Sequence, residues 1–140
     1  MAAAGSEIDS ISRLALFADL TRPQLERIAH TYEEDMFAEG QRVLRKDMSG
    51  SGLYVILDGE ARVVLGDREL ARLGRGEFFG DVSALLDTPP VSDVVAATSL
   101  RCLVVPREEV ERFLLERPTV ALRMLKVSLE RLAGVLEWQG

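Results

Sequence analysis

The chain has 140 residues, 47% hydrophobic and 29% charged, the balance of a globular protein with a real core rather than of a disordered chain. Its formal net charge of -6 argues against nucleic acid or an anionic membrane as a primary partner, and no apolar run is long enough to span a bilayer. A single cysteine, Cys102, excludes an internal disulfide framework.

The opening Met1-Ala-Ala-Ala-Gly5 lacks the charged region and long apolar core of a signal peptide, so the cytoplasm is the expected location. Residues 7–19 place Ile8, Ile11, Leu14 and Ala15 on one helical face. Thr21 then caps a second predicted helix, with Pro23 in its first turn and Gln24 completing a capping box. Leu25, Ile28 and Ala29 form its apolar side. His30, the only histidine, stands near its end without cysteine or carboxylate partners at ligand spacing, so no metal site is expected.

From Tyr32 to Val105 the period changes to two. Val43-Leu44, Leu53 to Leu57, Ala61 to Leu65 and Leu70 to Leu73 are short strand-like runs, separated by Gly40, Ser49-Gly-Ser-Gly52, Asp58-Gly59, Gly66-Asp67 and Gly74-Arg-Gly76. Many short strands at this spacing predict a sandwich or barrel. Cys102 lies in the apolar run Leu100 to Val105 and reads as a buried structural thiol.

After Pro106, residues 107–115 predict a short helix ended before Pro118, and residues 119–138 the longest helix of the chain. In that helix Leu122, Leu125, Leu129, Leu132 and Leu136 recur at spacings of 3, 4, 3 and 4, a heptad seam. Ala121, Ser128 and Val135 flank it. This is more apolar surface than packing on one domain requires, and it predicts a homodimer supported by tertiary contacts.

The most informative stretch is Gly76-Glu-Phe-Phe-Gly-Asp-Val-Ser-Ala-Leu-Leu-Asp-Thr-Pro-Pro-Val-Ser-Asp-Val-Val-Ala96. A short helix opening after a glycine offers free backbone N–H groups and the positive end of its dipole to an anion. With Phe37-Ala-Glu-Gly40 and Leu53-Tyr-Val-Ile-Leu-Asp-Gly-Glu-Ala61, this stretch resembles the phosphate-binding cassette and glycine frame of the cyclic-nucleotide-binding domain family. The resemblance covers residues 10–137.

It implies a mainly β fold with flanking helices: a double-stranded, jelly-roll-like β-roll with N-terminal helices and a long C-terminal helix. The implied organisation is one domain over 1–140, with helices in 1–31, the roll in 32–105, the cassette in 76–96 and further helices in 107–138. Phe79-Gly80 and Pro89 match the family. Asp81 takes the place of its glutamate, Pro90 that of its arginine and Asp93 that of its threonine or serine; Asp47 replaces a usual glycine in a turn that tolerates it.

The implied ligand-binding positions are Phe79, Gly80, Asp81, Val82, Ser83, Pro90, Val91, Ser92 and Asp93. No arginine or lysine lies between Arg75 and Arg101, so an anion loses its bidentate partner, and Asp81 with Asp93 would repel it. Losing one side of a buried charge pair costs about 2–5 kcal/mol, roughly 30- to 4000-fold in affinity.

The expected function is therefore a non-enzymatic regulatory domain with weak or absent cyclic AMP or cyclic GMP binding, acting through dimerisation or partner docking. The alternative is a working small-molecule sensor that uses the cassette backbone and Asp81, with Ser92 as a further donor and Arg72, Arg75 or a second subunit supplying the cation. No cofactor and no metal are expected. The DNA-binding helices of the family's transcription factors have no room after Trp138, so no DNA-binding domain is expected.

Overall fold

The computed structural model describes residues 8–48 and 52–139. The helix expected over 7–19 is divided. Residues 8–12 are helical (α1), and Ala15–Phe17 form a separate 3-10 turn preceded by Leu14 in an extended conformation (ψ 134°). The break lets Ile8 and Ile11 on one segment and Leu16 and Phe17 on the other all reach the core, which one straight helix does not allow. Residue 7 lies outside the described residues.

Helix α2 (Arg22–Thr31) has the predicted capping box: Gln24 Oε1 accepts from the Thr21 N–H at 2.8 Å, and Thr21 Oγ1 accepts from the Gln24 N–H at 3.4 Å. It buries Leu25 and Ile28.

Eight strands follow: β1 (Glu33–Phe37), β2 (Arg42–Leu44), β3 (Gly52–Asp58), β4 (Ala61–Leu65), β5 (Arg68–Leu73), β6 (Phe78–Phe79), β7 (Asp93–Ala96) and β8 (Leu100–Pro106). Every pairing is antiparallel. One sheet has the order β1-β8-β3-β6 and the other β2-β7-β4-β5. With the flanking helices this is the expected β-roll. Strand β1 carries little apolar alternation, being an edge strand of mostly exposed Glu-Glu-Asp-Met, which hides it from periodicity. The turn residues Ser49 to Ser51 lie outside the described residues.

The alternation of strand side chains builds two cores. Leu53, Val55 and Leu57 of β3 join Leu103 and Val105 of β8 beneath the helices. Ile56 of β3 joins Leu44, Val94, Leu100 and Cys102 between the sheets. Adjacent Phe78 and Phe79 therefore serve different cores. Burial pushes the Cys102 thiol up to about 12, with Asp35 adding to it, so the thiol is inert.

Edge strand β5 is exposed except for Leu73 and carries a charge ladder: Arg72 reaches Glu60 at 3.3 Å and Glu69 at 3.2 Å, and Arg62 reaches Glu69 at 3.8 Å. Three helices complete the fold: α3 (Asp81–Leu86), α4 (Arg107–Leu115) and α5 (Pro118–Gln139). Pro118 opens α5 rather than merely ending α4, the position in which its missing N–H costs nothing. Val120 and Met124 of α5 are buried against the roll, with Val127 packed beside them. Among the described residues no helix is long and apolar enough to cross a membrane, and no cluster of His, Cys, Asp and Glu forms a metal site.

Candidate functional site: the cassette pocket

Strand β6 delivers the chain into α3 through Gly80, which holds a left-handed conformation (φ 84°) at the helix N-cap. A Cβ at this position would fall 2.1 Å from the carbonyl oxygen of Gly52, so both the conformation and the close approach to β3 demand glycine. Phe79 stacks on Tyr54 across the β3–β6 pair with ring centroids 4.9 Å apart. The far end of α3 is tied to α4 by an ion pair between Asp87 and Arg107.

Above this frame lies a cavity of about 250 Å³. Phe79, Gly80, Asp81, Val82, Ser83, Pro90, Val91 and Ser92 line it, together with Leu44, Val63, Leu73 and Val94 from the opposite sheet. Most of this lining is apolar. Ser83 Oγ donates back to the Gly80 carbonyl at 3.3 Å within the first turn of α3.

Asp93 is not part of the lining, contrary to the sequence expectation. Strand alternation points its neighbour Val94 into the cavity and turns Asp93 to the other face. There its carboxylate accepts the backbone N–H of Lys46 at 2.7 Å and pairs with Arg42 at 3.8 Å. The Pro90 carbonyl accepts from the Asp47 N–H at 2.9 Å, so the residues after β2 are stitched to the cassette at both points. Asp47 adopts φ 65° here, the turn conformation for which a glycine is usual. Asp93 thus holds a loop.

Asp81 is 8% exposed. Burial raises its carboxyl above the ordinary 3.8; a hydrogen bond from its own N–H, the Arg131 charge and a hydrogen bond from the Val82 N–H offset part of that rise. The shortened acid therefore stands buried in the first turn of α3, beside Val82, one of the donors expected to face an anion.

The cavity does contain a cation, and it comes from α5. The guanidinium of Arg131 lines the cavity, donates from Nη2 to the Phe78 carbonyl at 3.1 Å and lies 4.7 Å over the Phe78 ring. Arg72, the expected substitute, belongs to the β5 ladder instead, and Arg75 is exposed outside the lining. A sequence signal for Arg131 exists: Val120, Met124, Val127 and Arg131 recur at spacings of 4, 3 and 4, so a charge continues the roll-facing stripe.

The leucine seam faces away from that stripe. Leu122, Leu125, Leu129, Leu132 and Leu136 are each between 52% and 58% exposed.

Comparisons with known proteins agree with this architecture. Residues 34–117 match the model of the cyclic nucleotide-binding domain. The chain is 27% identical over 127 residues to a cGMP-dependent protein kinase of Toxoplasma gondii, covering 91% of this chain and 13% of the kinase.

Its fold superposes on cAMP-bound PfPKA-R with a TM-score of 0.81 at 18% identity, over 98% of this chain and 47% of that one. The regulatory subunit of a cAMP-independent protein kinase A from Trypanosoma cruzi, bound to guanosine, superposes with a TM-score of 0.77 at 20% identity, over 97% of this chain and 50% of that one. The chain thus spans a small part of the kinase and about half of each regulatory protein. With its glycine frame, its cassette helix and the family model matching more than half its length, this chain belongs to the cyclic nucleotide-binding domain family.

Proposed function

We propose that this chain is a non-enzymatic regulatory module whose cassette pocket takes an uncharged nucleoside-type ligand in preference to a cyclic phosphate, and that it acts through self-association along α5 or by docking a partner. One observation carries the ligand preference. Asp81 is buried in the first turn of α3 and lines the cavity, so an acidic side chain stands at the helix end that would receive a phosphate. Pro90 offers no donor in place of the missing arginine, and the apolar walls suit a base and a sugar. The guanosine-bound cAMP-independent relative supports the reading, since its ligand carries no phosphate.

A second reading rests on Arg131. Released from Phe78, its guanidinium would stand beside Asp81 as the pocket's cation, and a cyclic nucleotide would then bind without the cassette arginine. Calorimetry with adenosine, guanosine, cyclic AMP and cyclic GMP separates the two. A saturable signal from a nucleoside, with none from either cyclic nucleotide at low micromolar concentration, is the expected result. Tight cyclic nucleotide binding that Arg131→Ala abolishes would replace the first reading by the second.

A further inference from the structure

Outside the cassette, a notch of about 220 Å³ lies between α2 and the junction of α4 with α5, lined by Pro23, Gln24, Arg27, Glu116 and Arg117. Arg117 is 6% exposed. Its guanidinium stacks 4.6 Å over the Phe113 ring and donates from Nη1 to the Phe113 carbonyl at 3.3 Å. Among the described residues it makes no ion pair. A buried guanidinium without a carboxylate is costly, and one carbonyl leaves most of its donors unused. Arg117 is among the residues that line the notch, and no fully buried side-chain nitrogen among the described residues lacks a partner.

We propose that this notch is an anion site, separate from the cassette pocket, for a phosphate group, free or carried on a small phosphomonoester. The lining selects that chemistry. Gln24 Oε1 is committed to the Thr21 N–H, which leaves its amide nitrogen to donate. Arg27 stands three positions further along the same helix and brings a second guanidinium. Among the described residues neither Arg27 nor Arg117 forms an ion pair, and Glu116, the one carboxylate of the lining, lies 4.0 Å from Arg112.

Two guanidiniums and an amide outnumber the one carboxylate of the lining, and phosphate oxygens match the guanidinium fork. The first turn of α2 adds the favourable end of its dipole.

The test is a titration of the full chain with inorganic phosphate against chloride at equal ionic strength, following the Arg117 Nε–Hε resonance by NMR. A saturable shift in the millimolar range is expected, lost in Arg117→Met and weakened roughly tenfold in Arg27→Ala. Arg27 is exposed, so its variant keeps the fold and the test does not depend on Arg117→Met folding. Asp81→Asn should bind phosphate here like the wild type, which separates this site from the cassette.

Glycerol phosphate binding more tightly than inorganic phosphate assigns the site to a phosphomonoester; equal binding assigns it to the phosphate group alone. A shift no different from that with chloride, or equal affinity in Arg27→Ala, overturns the proposal.

Discussion

The guanidinium of Arg131 lies 4.7 Å over the ring of Phe78 and donates a 3.1 Å hydrogen bond to the carbonyl oxygen of the same residue. Phe78 immediately precedes Phe79 and Gly80, which line the pocket, and Arg131 sits in the second half of α5. One side chain therefore fastens the long helix to the strand that feeds the pocket. Arg131→Ala should lower stability by about 1–2 kcal/mol, from the lost cation–π contact and charged hydrogen bond. Urea denaturation measures this, and amide exchange should speed up in α5 beyond residue 127. Unchanged exchange there would show that the fastening does not hold the helix.

Asp81 makes stability depend on pH in a definite direction. Its folded-state value is raised above the ordinary 3.8, so the neutral acid is favoured more in the native protein than in the unfolded chain. A group of this kind contributes stability below its unfolded value and loses that contribution as pH rises through its folded value. Asp81→Asn, which removes the buried charge, should therefore melt at a higher temperature than the wild type at pH 7. The gap should narrow as pH falls toward 3.8. Melting curves of both proteins across that range decide it, since every other carboxylate titrates in both. A gap independent of pH would remove Asp81 as the cause.

The cassette's lost arginine can be returned. Pro90→Arg should raise cyclic AMP affinity by roughly 30-fold or more, the lower bound for restoring a buried charge partner. Asp93→Thr added to it should bring no further gain, because Asp93 faces Lys46 and Arg42 outside the cavity. Asp93→Thr alone should instead cost about 1–2 kcal/mol through the lost loop hydrogen bond. Calorimetry on the single and double variants checks this. A double variant that binds much better than Pro90→Arg would mean that Asp93 does act on the ligand.

The exposed leucine stripe of α5 predicts self-association. Five leucines half open to water along one helix face leave apolar area that a second copy would cover. Light scattering at micromolar concentration should give twice the chain mass for the wild type and the single chain mass for Leu129→Glu. A wild type that is already monomeric at this concentration ends the dimer reading.

Much of this fold was legible in the sequence because its signals are local. The capping box at Thr21, the glycines between strands, the long C-terminal helix and the apolar run around Cys102 each depend on neighbours a few residues away. Chain geometry converts such patterns into elements with little help. The weaker cases are also local in origin: β1 lacks alternation because it is a polar edge, and the helix expected over 7–19 breaks at Leu14 to send four apolar side chains into one core.

The electrostatics of the pocket belonged to tertiary structure alone. The sequence by itself determined that the cassette arginine is missing and that two acids stand nearby. It did not determine that β7 turns Asp93 away, that Asp81 is buried in the first turn of its helix, or that Arg131 arrives from α5. Each of these depends on which face of a strand or helix meets a partner distant in the chain. Charges act through space at a few ångströms, and only packing fixes those distances.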